Sequence, residues 1–280
     1  MNPVMATSGL QTGASTGAAQ DEYERFCAGI ERLCGVALAH YRQGQMERRL
    51  RTFAARSGFH DLDSYLEALK KDPSALESFQ DRMTINVSEL FRNPERFKEL
   101  ERDVIPRLAS ASSGRFKAWS AGCSYGAEAY TVAILLSEAR EVSSFQIDAT
   151  DIDKGVLQRA VEGRFSQQDL RNVSPDRLRR WFGDQDDDGG RAADRSLASS
   201  IRFGELNLLS DRYPQGCDLI LCRNVVIYFK DDAKDLIYRR FFEALRPGGL
   251  LFVGSTERVA NAAEMGWEKA GTFFYGKPES

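Results

Sequence analysis

The chain has 280 residues, a formal net charge of −3 and 42% hydrophobic residues. This length suits one large or two smaller domains with a buried core, and the composition is that of an ordinary globular protein. The slightly acidic balance disfavours nucleic acid as a bulk partner. No apolar run reaches the roughly 18 residues of a membrane span, and no signal peptide is visible at the amino terminus.

Cysteine and histidine usage points to a reducing compartment and argues against a metal centre. The five cysteines have no C-x-x-C spacing. An odd number of thiols in apolar segments indicates buried, reduced cysteines and a cytoplasmic location. With only His40 and His60 in the chain, we expect neither a zinc site nor a Ser-His-Asp triad, and no bound metal.

The amino-terminal part predicts a disordered tail followed by a small helical domain. Residues 1–20 are rich in small and polar side chains without a hydrophobic period, which is typical of disorder. Residues 21–82 show short helical patterns. One helix among them carries four arginines, at positions Arg48, Arg49, Arg51 and Arg56. A solvated helix face is the simplest interpretation of these arginines, and a patch that docks an acidic partner is the alternative.

A segment with polar residues at defined positions joins the helical domain to the rest of the chain. Asn86, Ser88 and Arg92 lie there between apolar residues. The purely structural interpretation of these three residues is that they belong to a linker and cap helices. Asn93 and Pro94 predict the start of a helix, and Pro106 predicts its end.

A strand, a loop of small residues and a helix come next, in the pattern of a nucleotide-binding α/β sheet. The strand begins at residue 116, and its loop retains two glycines, Gly122 and Gly126. Ala121 stands where a full G-x-G-x-x-G motif begins, so an ordinary tight turn explains the loop equally well. A second strand over residues 145–151 ends in Asp151, the position at which such folds bind ribose hydroxyls.

The second half of the chain interrupts this rhythm and then resumes it. Residues 163–203 predict an inserted subdomain with some antiparallel strand. A buried strand over residues 217–222, a helix from Asp231 and strands after it complete the pattern. The predicted fold class is therefore α/β, with a Rossmann-like sheet that carries an inserted small β-subdomain and follows a small all-α domain.

Three segments together resemble one known family. They are Asn86-x-Ser88-x-x-x-Arg92, Ala149-Thr150-Asp151-Ile152-Asp153 and Cys222-Arg223-Asn224-Val225-Val226-Ile227-Tyr228-Phe229. Over residues 22–276 the chain resembles the CheR-type glutamate methyltransferases of bacterial chemotaxis. The resemblance implies transfer of a methyl group from S-adenosylmethionine to glutamate side chains in the cytoplasmic domain of a methyl-accepting chemoreceptor. The products would be a glutamate methyl ester and S-adenosylhomocysteine. The methyltransferase domain would span residues 83–280, and residues 21–82 would face the receptor.

The resemblance also implies roles for individual residues. Cofactor binding is carried over to Asn86, Ser88, Arg92, Gly122, Glu128, Asp151, Asn207, Leu208, Arg223 and Asn224. Arg92 and Tyr228 are the catalytic candidates, Arg92 as a fork for the substrate carboxylate and Tyr228 as a side chain that faces the reacting centre. The glycine loop departs from the family pattern, because Tyr125 stands at a usual threonine and Ala127 and Ala129 replace an acid and a proline.

The chemistry and the partner follow from the same resemblance. A receptor glutamate has a reference pKa of about 4.3 and is already ionised at neutral pH, so no general base is needed. The receptors of this family are acidic helical coiled coils, and the four arginines of the basic helix would steer docking to them. We expect a monomer that neither binds nucleic acid nor inserts into a membrane.

Two other functions remain open from the sequence. A methyltransferase of a small carboxylic acid would share the cofactor-binding half of the chain. A non-catalytic module that binds S-adenosylmethionine for regulation would keep the fold without turnover. A nucleic-acid methyltransferase is disfavoured, because the chain has neither an Asn-Pro-Pro-Tyr run nor a Pro-Cys dipeptide.

Overall fold

The structure, a computed structural model, describes residues 14–83, 88–112 and 114–279. The chain divides into two compact units, and the division falls after Phe79. No helix in the described ranges is both long and apolar enough to cross a lipid bilayer.

The amino-terminal unit is all-α, as predicted. Its helices are α1 (Ala14–Cys34), α2 (Gln43–Arg56), α3 (Leu62–Lys71) and α4 (Pro73–Met83), the last of which runs past the division. Buried rings from all four helices form its core, with Phe79 lying edge-on at 6.0 Å from both Phe26 and Tyr65 and at 6.4 Å from Phe53. Aromatic pairs in this geometry add to the energy of apolar burial.

The helical unit begins earlier than the sequence predicted. Helix α1 starts at Ala14, so residues 14–20 are helical and do not belong to a disordered tail. The alanines of this stretch have the highest intrinsic helix propensity, and continuity with a packed helix favours that conformation over disorder. The rest of the expected tail, residues 1–13, lies outside the described residues.

Helical structure at the start of the second unit continues beyond the predicted stop at Pro106. Helices α5 (Pro94–Glu99) and α6 (Ile105–Ser110) are joined by a π-helical turn over Leu100–Val104. In that turn the Ile105 N–H bonds to the Leu100 carbonyl, five residues back. Pro106 therefore sits in the first turn of α6, where its missing N–H costs little. The prediction that it ends the helix was wrong.

The remaining elements form the predicted α/β domain. Its helices are α7 (Ala127–Glu138), α8 (Lys154–Glu162), α9 (Pro175–Trp181), α10 (Arg195–Ser199) and α11 (Asp231–Ala244). Its strands are β1 (Phe116–Ala121), β2 (Phe145–Asp151), β3 (Arg164–Phe165), β4 (Arg191–Ala192), β5 (Ile201–Glu205), β6 (Cys217–Cys222), β7 (Leu245–Val253), β8 (Glu268–Lys269) and β9 (Phe274–Gly276).

Seven of these strands make one sheet in the order β5-β2-β1-β6-β7-β9-β8. The first five run parallel, while β9 pairs antiparallel with β7 and β8. From β1 the chain builds outward through β2 on one side and through β6 on the other. Such a change of direction opens a crevice at the carboxyl ends of the central strands, and ligands of open α/β sheets bind there.

The inserted segment is shorter than predicted. Strands β3 and β4 pair antiparallel, in a two-stranded sheet of their own. Strand β5, however, pairs parallel with β2 at the edge of the main sheet, so residues 201–203 do not belong to the insertion. Local sequence could not settle this boundary, because a short extended pattern does not reveal which sheet a strand joins.

Candidate active site

The loop after β1 approaches its neighbours closely at both glycines. Gly122 and Gly126 have φ values of +78° and +89°, in the left-handed region that favours glycine. A Cβ on Gly122 would overlap the Val225 side chain, and one on Gly126 would lie 3.2 Å from the Ala160 Cβ. The Gly122 N–H donates to the carbonyl of Thr150 on β2 at 2.8 Å. The loop is therefore fixed against the ends of two neighbouring strands.

Asp151 ends β2 beside this loop. Its Oδ2 accepts a hydrogen bond from the Ser124 N–H at 2.8 Å, and its Oδ1 accepts one from the Asp153 N–H at 3.1 Å. Burial raises the pKa of Asp151, and backbone hydrogen bonds from Ser124, Asp153 and Ile152 oppose that rise. A carboxylate offers about four acceptor positions, so these bonds leave capacity for a hydroxyl donor of a ligand. Asp153 caps α8, accepting bonds from the Gly155 and Val156 N–H groups.

A buried ion pair lies between the ends of β1 and β6. Glu128, in the first turn of α7, accepts a hydrogen bond from the Ser120 hydroxyl at 2.7 Å, and its Oε2 lies 3.5 Å from Nη1 of Arg223. The two side chains are 12% and 3% exposed. Burial raises the pKa of Glu128 and lowers that of Arg223. The Arg223 guanidinium also lies over the rings of Phe97 and Phe252, at 4.9 and 4.8 Å.

Arg223 in turn holds the backbone at Arg92. Its Nη2 donates to the Arg92 carbonyl at 2.9 Å and to the Asn93 Oδ1 at 3.0 Å. Burial lowers the pKa of Arg223, and the positive charge of Arg92 lowers it further. In the structure the Arg223 side chain contacts Glu128, Arg92 and Asn93, and its contact with the cofactor stays a prediction.

Arg92 itself stands between two residues in the left-handed conformation. Phe91 has a φ of 53° and Asn93 a φ of 62°. On the amino-terminal side of Arg92, the Phe91 N–H donates to the Thr131 hydroxyl on α7 at 3.0 Å. Non-glycine residues in this region cost about 1–3 kcal/mol each and persist where the surroundings hold them. The half-buried Arg92 side chain is thus presented by a backbone that is strained and anchored on both sides.

The segment before Arg92 is tied to the glycine loop by Tyr125. The Tyr125 hydroxyl contacts the Ser88 carbonyl and lies 2.9 Å from Oδ1 of Asp169 in the insertion. The Leu90 N–H donates to the Asp169 carbonyl at 3.1 Å. Tyr125, which departs from the family pattern, therefore links the loop, the segment of Ser88 and the insertion. Asn86 lies outside the described residues.

Asn207 and Leu208 follow β5 and form a braced turn. The Asn207 Oδ1 accepts a bond from the Leu209 N–H at 2.9 Å. The Leu208 carbonyl accepts bonds from the Tyr213 hydroxyl at 2.6 Å and from Nη1 of Arg240 at 2.7 Å. The turn has a fixed shape, and its carbonyl is already engaged within the protein.

A carboxylate that sequence reasoning missed holds the turn after β6. Glu257 is 4% exposed and accepts hydrogen bonds from the N–H groups of Asn224, Val225, Val226 and Gly254. Asn224 is left-handed, with a φ of 61°, and half-buried Tyr228 closes the 3₁₀ turn that follows. In the sequence, Glu257 resembles an exposed acid in the loop after a strand. The nearby Gly254 is the one local signal that sets it apart.

The four arginines of α2 differ from one another. Arg48 and Arg56 are exposed. Arg51 pairs with Glu22 and Glu47, both at 2.9 Å, and Arg49 lies over the Phe53 ring at 5.3 Å. Arg51 thus also ties α2 to α1, a structural role that the sequence did not predict.

Comparison with known proteins decides the family. The family model described as "CheR methyltransferase, SAM binding domain" matches residues 86–272, and the one described as "CheR methyltransferase, all-alpha domain" matches residues 21–84. The chain belongs to the CheR methyltransferase family. It is accordingly an S-adenosylmethionine-dependent methyltransferase of chemotaxis, as the resemblance had predicted.

Two chemotaxis protein methyltransferases match this CheR chain over most of their length. The chemotaxis protein methyltransferase of Listeria monocytogenes is 36% identical over 92% of this chain and 98% of the relative. That of Escherichia coli is 31% identical over 85% of both chains. Among solved structures, a TehB-like methyltransferase from Corynebacterium glutamicum is 16% identical over 66% of this chain and 93% of its own, with a TM-score of 0.36.

The crevice of this CheR methyltransferase fits its cofactor by the chemistry of its groups. Asp151 retains acceptor capacity of the kind that suits ribose hydroxyls, and Glu128 is a buried acid of the kind that suits a cationic ligand. Within the described residues, no group of three or more His, Cys, Asp or Glu side chains could hold a metal ion. The cofactor is S-adenosylmethionine.

Proposed function

We propose that this enzyme methylates glutamate side chains in the cytoplasmic domain of a methyl-accepting chemoreceptor, and that it acts as a monomer in the cytoplasm. The names of its curated relatives support a role in chemotaxis. The observation that carries the proposal is the presentation of Arg92. A half-buried guanidinium on a strained, doubly anchored backbone beside the crevice suits the recognition of a carboxylate.

The residues of the crevice take the following proposed roles toward the cofactor. Asp151 accepts hydrogen bonds from ribose hydroxyls, and Glu128 faces the cationic methionine end. Asn207 and Leu208 lie against the adenine. Gly122, Asn224, Arg223 and the segment of Asn86 and Ser88 complete the lining.

Transfer needs orientation and exclusion of water more than acid–base chemistry. Bound S-adenosylmethionine supplies a methyl group made electrophilic by its sulfonium charge. The substrate glutamate, with a reference pKa of about 4.3, arrives ionised, so no residue must take a proton from it. Arg92 holds one carboxylate oxygen, and Tyr228 fixes a reactant through its hydroxyl, which leaves the other oxygen free to attack.

The same arrangement favours release of the product. The methyl ester is neutral and cannot form the charge-assisted hydrogen bonds that the carboxylate made with Arg92. Arg223, held close to Arg92 by its bonds to the backbone, keeps the Arg92 carbonyl in place through both states. Arg92 thus binds the carboxylate of the substrate more strongly than the ester of the product.

Docking to the receptor is assigned to the basic face of α2. Arg48 and Arg56 are exposed, and a chemoreceptor methylation region that is acidic would be attracted to them. Arg49 and Arg51 border this face and contribute charge, while also packing within their own unit.

Methylation with labelled cofactor tests the proposal. We expect receptor cytoplasmic fragments to gain base-labile methyl esters, and small carboxylic acids to gain none. Arg92→Ala, measured at saturating cofactor, should lower turnover about 10²–10³-fold, as for one lost preorganised contact. Arg102→Ala, at an 81% exposed arginine, is the matched control and should turn over normally. Esters on small acids alone would refute the receptor as substrate, and cofactor binding without any transfer would indicate a regulatory module.

A further inference from the structure

The carboxylate of Glu257 accepts hydrogen bonds from four backbone N–H groups. It accepts bonds from the N–H groups of Asn224 at 2.6 Å, Val225 at 2.9 Å and Val226 at 3.1 Å, and from that of Gly254 at 2.8 Å. Burial raises the pKa of Glu257, and these donors oppose the rise. Three successive N–H groups that point at one carboxylate define the path of the chain as it leaves β6.

Room for this carboxylate depends on the end of β7. A Cβ on Gly254 would overlap Oε2 of Glu257 and would lie 3.1 Å from the Asn224 nitrogen. Glycine at position 254 is therefore required by the approach of the carboxylate. Strands β6 and β7 are neighbours in the sheet, so Glu257 joins the carboxyl ends of two adjacent strands.

The turn that Glu257 holds includes one candidate residue of the crevice and is linked to two other parts of it. Asn224 adopts its left-handed conformation within it. Val225 packs so closely on Gly122 of the glycine loop that a Cβ there would overlap its methyl group. Arg223, directly before the turn, binds the Arg92 carbonyl. A shift of the turn would displace the glycine loop and Arg92 together.

We propose that Glu257 is a positioning residue for the methyl-transfer site, which fixes the turn over residues 224–226 and, through it, the glycine loop and Arg92. It does not touch the reactants. The inference rests on the proposed function for the role of Arg92, but its effect on cofactor binding does not require a receptor. A positioning role differs from plain stabilisation, because it changes the behaviour of molecules that are folded.

Glu257→Gln tests this role. The amide keeps the size of the side chain but has one acceptor oxygen and turns an N–H₂ group toward backbone donors. We expect the Kd for S-adenosylhomocysteine, measured by calorimetry on folded protein, to rise about 10–100-fold, as when a metal ligand loses the outer partner that orients it. Amide hydrogen exchange should quicken in the peptide that spans residues 223–227.

The matched control is Asp218→Asn. Asp218 is 2% exposed, lies near the amino end of the same strand β6, and accepts bonds from the Lys117 N–H at 2.8 Å and from Nε of Arg246 at 2.6 Å. This variant should lower the melting temperature comparably and leave the Kd unchanged. If both variants change the Kd alike, or if folded Glu257→Gln binds as the wild type does, the positioning role is refuted.

A second variant keeps the test decisive if Glu257→Gln does not fold. Gly254→Ala retains the glutamate but places a methyl group against its carboxylate, and should raise the Kd in the same way. Wild-type affinity in that variant would overturn the inference. Because S-adenosylhomocysteine binding is measured without receptor, failure to methylate a receptor would count against the proposed function only.

Discussion

Replacing Arg223 by methionine removes a buried guanidinium while keeping most of the apolar length of the side chain. The change breaks the 3.5 Å pair with Glu128 and the two bonds to Arg92 and Asn93. Glu128 keeps the hydrogen bond from the Ser120 hydroxyl but loses its cation. The main cost is therefore the carboxylate that stays behind without its cation.

The magnitude follows from burial. Removal of one partner of a buried ion pair costs about 3–5 kcal/mol. Since the Glu128 side chain is 12% exposed, water relieves part of that penalty, and we expect a loss of about 3 kcal/mol in the free energy of unfolding. Adding Glu128→Gln to the variant should recover about 1–2 kcal/mol, because an amide is cheaper to bury than an unpaired charge.

The pH dependence supplies a second measure. Burial raises the pKa of Glu128 in the folded state, and loss of Arg223 raises it further. Between the unfolded and folded pKa values the folded state binds more protons, so stability falls as pH rises through that window and returns as pH falls. The deficit of Arg223→Met relative to wild type should therefore shrink from neutral pH toward the ordinary glutamate pKa of about 4.3.

Urea unfolding of the wild type, both single variants and the double variant measures these terms in one thermodynamic cycle. A loss below about 1 kcal/mol for Arg223→Met, the size of an ordinary surface ion pair, would refute the reasoning. So would a deficit that is constant with pH, or a double variant no more stable than Arg223→Met.

Three further outcomes follow from the structure. Asp151→Asn should raise the Kd for S-adenosylhomocysteine at least about tenfold, the loss of a hydrogen bond to a charged group; unchanged calorimetric affinity in folded protein would contradict the ribose assignment. The double variant Arg48→Glu, Arg56→Glu should methylate receptor more slowly and keep its cofactor affinity. Added salt should slow the wild type, since exposed charges are screened over about 10 Å at 0.1 M. A wild-type rate in the double variant would refute the docking role of the basic face of α2. Arg51→Glu should instead lower the melting temperature, because it places a like charge against Glu22, and an unchanged melting curve would contradict that pairing.

Local sequence patterns predicted the centre of the fold well. The sequence predicted the strand before Gly122 and the helix after Gly126, because apolar runs flank a loop that contains these two glycines. Both glycines have positive φ values, which glycine adopts more readily than other residues. The position of Asp151 followed from the strand that it ends. These features depend on residues close together in the chain, and that is where periodicity and turn chemistry carry information.

The pairing of distant residues was not predictable in the same way. Arg223 binds the carbonyl of Arg92, 131 positions away, and Glu257 binds a turn more than 30 positions before it. The assignment of residues 201–203 to the insertion failed for a related reason, since pairing with β2 is a tertiary choice. An arginine or glutamate in a sequence does not reveal which backbone groups it will meet.

The left-handed residues of the crevice have a consequence for laboratory evolution of this enzyme. Phe91, Ser124 and Asn224 each hold a positive φ that glycine would adopt without strain. A screen for heat resistance would favour glycine at Ser124 or Asn224 where the strain relieved exceeds the extra conformational entropy that glycine loses on folding. The same glycines would loosen the backbone beside Asp151 and Glu257. Selection for durability and selection for catalysis would therefore pull these positions in opposite directions.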